Sequence, residues 1–251
     1  RKSRPVALLI DEYDHPLLEQ VQNSSEVEAL RTTLRHFFTV IKSLEESLAF
    51  VFITGVTKFS KVSLFSGLNN LRDISLDDHY ATLLGVTEEE ISGLKPHIQA
   101  VASKRKQTPE AVVVQMREWY NGYLFSKSNH AERVFNPWSL FHYLSQGIRN
   151  NYWFTTATPT FATELMKERG FPIWDLERGV EAGDEIEASH NPETLGLVPL
   201  LFQTGYLTID SYDEERETYL LRLPNEEVRR SLIKHLFYAY SGREEWQSRT
   251  L

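Results

Sequence analysis

Two uninterrupted apolar runs constrain this chain more than any other feature. Val6-Ala7-Leu8-Leu9-Ile10 ends in two acids, and Ala49-Phe50-Val51-Phe52-Ile53-Thr54 is closed by Gly55. A run without polar alternation predicts a strand buried on both faces. Between the runs, Leu30, Leu34, Phe37, Phe38, Ile41 and Leu44 recur at helical spacing behind Ser24 or Ser25 as N-cap. Strand, helix, strand predicts a βαβ unit with parallel strands and a right-handed crossover.

In such a sheet the carboxyl ends of the strands deliver side chains to a ligand. The apolar run ending in Asp11-Glu12 is the Walker B pattern of P-loop ATPases. Asp11 is the candidate Mg²⁺ ligand, and Glu12 the candidate for orienting the attacking water, because phosphoryl transfer needs positioning and charge stabilisation. Thr54 and Lys58, at and just beyond the neighbouring strand end, are placed to sense a γ-phosphate. A strand ending in an acid at a turn is the plainer alternative. The phosphate-cradling G-x-x-x-x-G-K-[ST] occurs nowhere in the 251 residues, so ATP and Mg²⁺ are expected only with such a loop supplied from upstream. Whether the chain is an ATP hydrolase depends on that segment.

Other signals concern architecture. Residues 56–82 form a long, candidate functional connection. Thr87-Glu88-Glu89-Glu90 reads as a capping box opening a helix to about Ser103, and Thr108-Pro109 as the start of another. Asn121-Gly122 among Trp119, Tyr120, Tyr123 and Phe125 gives a hairpin signal; packing is the expected use of these aromatics, with base stacking the alternative. Further helices are expected from Asn136-Pro137 to about Leu144, from Pro159 to Glu168, and from Pro192 to about Phe202. Residues 170–191 look like an acidic linker or lid. Tyr206–Ile209 and Tyr219–Leu223 pattern as a hairpin, with a last helix near Asn225. Helix, hairpin, helix resembles a winged-helix arrangement.

Several motifs match AAA-ATPase-like proteins of bacteria and archaea. They include Leu8-Leu9-Ile10-Asp11-Glu12-Tyr13-Asp14-His15-Pro16-Leu17 and Phe52-Ile53-Thr54-Gly55-Val56-Thr57-Lys58-Phe59-Ser60-Lys61. Trp119-Tyr120-Asn121-Gly122-Tyr123, Asn136-Pro137-Trp138-Ser139-Leu140, Asn151-Tyr152-Trp153-Phe154 and Phe202-Gln203-Thr204-Gly205-Tyr206 extend the likeness almost end to end. The chain resembles that family, which implies an α/β fold with a partial P-loop NTPase core, then a mostly helical region and a winged-helix-like part. The boundaries so implied are 1–85, 86–170 and 171–251. The resemblance implies a signal-transduction-type ATPase, often fused to a PD-(D/E)XK nuclease-like domain; no convincing nuclease motif lies within the chain. A nucleotide-free protein-interaction scaffold is the rival function.

Charge narrows the partners. Residues 1–150 hold 17 basic and 17 acidic side chains, while residues 151–251 hold 10 and 18, so the whole net charge of −8 sits in the last hundred. The candidate wing carries Asp210, Asp213, Glu214, Glu215 and Glu217 against Arg216 and Arg222, which opposes phosphate contact. Other protein domains or copies of the chain are the expected partners, and nucleic acid is not. Without cysteine there is no disulfide framework, and without a membrane-length apolar run the expected location is the cytoplasm. The eight histidines show no zinc-protease spacing, Asp77-Asp78-His79 reads as a polar loop, and Ser139 lacks a nucleophile elbow.

Overall fold

A computed structural model of the chain describes residues 5–19, 24–58, 64–65, 70–155, 160–188 and 196–241. The fold is mixed α/β and divides into two compact units. One comprises residues 1–72 with 184–204, and the other residues 73–183 with 205–251.

The first unit contains the βαβ element. Strand β1 (Val6–Ile10) is followed by a short helix α1 (His15–Glu19), a long helix α2 (Ser24–Ser43) and strand β2 (Leu48–Ile53). The strands pair in parallel, with Ala7 opposite Phe50 and Ile10 opposite Ile53, and the register shifts between Val6 and Ala7. The expectation of strands buried on both faces is not met: Leu9 is 69% exposed and Phe50 55%. The sheet formed by the described residues has two strands, too few to enclose its own apolar side chains. The unit's interior lies instead around Leu17, Val27, Phe38, Ile41 and Leu64. There the ring of Phe38 meets those of Tyr13 and Phe65 with centroids 6.5 and 4.5 Å apart.

Later in the chain, a helical turn at Asp184–Ile186 packs on a short helix spanning Leu197–Gln203 within this same unit. The Gln203 amide donates to the carbonyls of Ile186 and Ala188 at 3.0 and 3.3 Å, and its oxygen accepts from the Lys58 N–H at 2.8 Å. The helix begins at Leu197 with Gly196 as N-cap, later than expected; Pro192 and the rest of 189–195 lie outside the described residues.

The second unit is mostly helical: α3 (Glu88–Ile91), α4 (Lys95–Arg105), α5 (Pro109–Tyr120), α6 (Pro137–Gln146), α7 (Thr160–Glu168) and α8 (Ile173–Arg178). Its sheet orders β3 (Val180–Ala182), β5 (Thr218–Arg222) and β4 (Thr208–Asp213), all antiparallel. Continuing the chain-order numbering, the Leu197–Gln203 helix is α9, and α10 is Glu226–Ser241. Caps fix the helix starts as the sequence indicates. Thr87 and Glu90 form the capping box, Thr108 accepts from Ala111 N–H and Asn136 from Ser139 N–H at 3.2 Å each, and Asn225 accepts from Val228 N–H at 3.1 Å. Ile98, Val112, Met116, Tyr120, Phe135, Leu140 and Tyr143 make a closed core.

Two expectations for this part fail. Asn121-Gly122 does not turn a hairpin: Asn121 is the C-cap of α5, and Tyr123 reaches across to an antiparallel bridge with Val134. Gly122 has φ of 119°, and a Cβ there would lie 2.0 Å from the Pro224 carbonyl oxygen, so the glycine answers a close approach. Residues 170–188 are not a bare linker, since they supply α8 and the third strand β3. Helix α9 belongs to the first unit and the β4–β5 hairpin to the second.

Candidate functional site

The parallel pairing brings the ends of β1 and β2 together. The Thr54 N–H donates to the Ile10 carbonyl at 2.8 Å, and the Tyr13 N–H to the Thr54 carbonyl at 3.0 Å. The chain after β1 therefore stays locked to its neighbour through Tyr13. Across this junction the Thr54 hydroxyl donates to Asp11 Oδ1, and the Glu12 N–H approaches Thr54 Oγ1 at 3.4 Å. Three of the four residues singled out in the sequence, Asp11, Glu12 and Thr54, thus meet at one place. The carboxylates of Asp11 and Glu12 belong to exposed residues. Lys58 lies four residues further on, its backbone N–H donating to the Gln203 side chain at 2.8 Å.

Glu12 has φ of +52°. This left-handed conformation is uncommon for a residue with a Cβ and costs about 1 kcal/mol. It turns the chain sharply enough for Glu12 to accept from the His15 N–H at 3.0 Å, so that α1 starts directly behind the acids.

Sequence reasoning missed the residue that organises this corner. Asp14 has no solvent exposure. Its Oδ1 accepts from the Val56 N–H at 3.0 Å, and its Oδ2 from the Thr57 N–H at 2.5 Å and the Thr57 hydroxyl at 2.6 Å. The carboxylate thereby replaces solvent for two backbone donors of the loop after β2. The Tyr13 hydroxyl adds a bond to the Thr57 carbonyl at 3.1 Å. Gly55 lets these groups in, because a Cβ there would sit 2.6 Å from the Tyr13 ring and 2.7 Å from Asp14. The available signal was the paired spacing Asp11-x-x-Asp14 and Thr54-x-x-Thr57 just beyond the ends of the two paired strands.

Other polar candidates have structural employment. The Asp78 carboxylate accepts from the Ser126 hydroxyl, and Asp77 accepts from the His79 N–H at 3.0 Å. Among the described residues no group of three or more His, Cys, Asp or Glu could hold a metal ion, and no helix is long and apolar enough to cross a membrane. Trp119, Tyr120 and Tyr123 are buried packing groups.

A parallel strand pair with acids on one end and a hydroxyl on the other defines an α/β protein with its polar groups gathered at the carboxyl ends of its strands. Residues 1–65, which carry that pair, match the model of the AAA-ATPase-like family, described as "Predicted AAA-ATPase". The chain is also 37% identical over 237 residues to an uncharacterized protein in the vnfD 5' region of Azotobacter chroococcum mcd 1. That alignment covers 94% of the present chain and 43% of the relative, so the chain spans under half of the relative's length. No solved structure matches.

Proposed function

We propose that this chain is part of an ATP-binding, regulatory ATPase module, whose phosphate-binding loop is not among these 251 residues. The observation that carries the reading is the meeting of Asp11, Glu12 and Thr54 at the ends of two parallel strands. Asp11 would hold Mg²⁺, a hard cation that prefers carboxylate and water oxygens. The donor set fits: Asp11 is exposed with one oxygen fixed by Thr54, whereas Asp14 is enclosed and spent on backbone donors. Bound magnesium supplies charge neutralisation to a triphosphate. Glu12, held at the turn by its own strained backbone, would orient water. Thr54 fixes the Asp11 carboxylate, and Thr54 and Lys58 would report the γ-phosphate.

A nucleotide-free docking scaffold is the second reading, favoured by the uncovered apolar side chains of β1 and β2. Titration with a fluorescent ATP analogue and magnesium separates them. The chain alone is expected to bind weakly or not at all, and a version joined to a G-x-x-x-x-G-K-[ST] segment from its own gene to bind at micromolar levels. Failure of that longer protein to bind would favour the scaffold. Micromolar binding by the chain alone would refute the need for the loop.

A further inference from the structure

One acidic side chain on α10 is turned inward. Glu227 has no solvent exposure, whereas Glu226 beside it pairs with Arg229 and Arg230 at 2.6 and 2.8 Å. Glu227 Oε1 accepts from the Ser139 hydroxyl of α6 at 2.9 Å and from the Trp153 N–H at 3.0 Å. Its Oε2 is buried without a hydrogen-bond partner, and so is the hydroxyl of Ser231, one turn along the same helix face. The titratable groups coupled to Glu227 from the packed elements are phenols: Tyr120 of α5, Tyr123 after it, and Tyr152 before Trp153. Of the cations of α10 itself, Arg229 and Arg230 are engaged by Glu226, and Lys234 lies over the Tyr238 ring.

An ionised carboxylate here is a fully buried charge with no cation against it, a costly state. A protonated one is neutral and avoids the cost of a buried charge. We propose that Glu227 is a proton-operated latch: protonated, it fastens α10 to α6 and to the Trp153 segment, and ionised, it weakens that junction. Trp153 is also a wall of the cavity lined by Tyr123, Phe125, Asn136 and Gly205, so the latch acts on a surface a ligand could reach.

Burial pushes the Glu227 carboxyl up from its ordinary 4.5 to about 7, against the lowering effect of hydrogen bonds from the Trp153 backbone, the Ser139 hydroxyl and the Tyr152 backbone. The folded chain then binds a proton that the unfolded chain has released. The stabilisation is full below the unfolded value of 4.5 and is lost as the pH rises through about 7. Between pH 5.5 and 8.5 this changes the folding constant on the order of thirtyfold in all.

The test compares urea unfolding of the intact chain and of Glu227→Gln at pH 5.5 and 8.5. The amide of Gln keeps a donor in place of the acid proton and cannot ionise. The expected result is that wild type loses on the order of thirtyfold in folding constant relative to Glu227→Gln between the two pH values. Parallel pH profiles would overturn the latch. Should the variant not fold, infrared spectra of wild type labelled with ¹³C-glutamate decide the matter. A protonated carboxyl band in the folded protein at pH 6 supports the latch, and its absence refutes it.

Discussion

At the scale of single residues, the candidate site separates chemistry from scaffolding. Glu12→Gln removes the carboxylate proposed to orient water but keeps the side chain's shape. In a protein carrying the phosphate loop it should reduce ATP turnover by two or more orders of magnitude while sparing ATP binding. Asp11→Ala should instead weaken magnesium-dependent binding. Parental turnover in both variants would mean that the acids merely end a strand. Glu12→Gly offers a stability readout with no need for nucleotide. It relieves about 1 kcal/mol of left-handed strain and gives back roughly half of that as unfolded-chain entropy. A net gain of about 0.5 kcal/mol in urea unfolding is expected, and a clear loss would show that the Glu12 side chain contributes contacts of its own.

At the scale of elements, Asp14 and the loop after β2 behave as one piece. Asp14→Ala strands the Val56 N–H, the Thr57 N–H and the Thr57 hydroxyl inside the unit, a loss of about 3 kcal/mol or more. Gly55→Ala should be comparably harmful, since its Cβ meets a ring and a carboxylate at 2.6–2.7 Å. Thermal unfolding of both variants checks this; wild-type midpoints would mean that the corner relaxes freely. Elements written in local chemistry were legible in the sequence. The capping box at Thr87, the proline-led helices after Thr108 and Asn136, and the hairpin of β4 and β5 all appear. Elements defined by distant partners were not. Strand β3 has three residues in an acidic stretch and exists through its pairing with β5. Asn121-Gly122 carries a hairpin signature, yet serves a helix end because Pro224 closes on it from a hundred residues away. Asp11, Glu12 and Thr54 could be found because strand ends are marked by periodicity. Asp14 was passed over because its partners lie some 43 residues downstream.

For the molecule as a whole, charge gives the clearest expectation. The acidic side chains of the last hundred residues and of the β4–β5 hairpin oppose contact with phosphate. A mobility-shift assay at about 50 mM salt, where phosphate contacts still count strongly, should show no DNA binding. A shift abolished by neutralising Arg222, Arg229 and Arg230 would show that a local basic patch outweighs the net charge.

The division of the chain also has a consequence for its synthesis. The first unit takes residues up to 72 and then 184–204, with more than a hundred residues of the second unit between them. On the ribosome, β1 and β2 emerge early, but Gln203, which bonds the Lys58 N–H and ties α9 to the turn at Asp184, is translated far later. At about 5–20 residues per second this leaves the early segment incomplete for several seconds or longer. The exposed Leu9 and Phe50 are then at their most vulnerable, and a nascent-chain chaperone would find its client there.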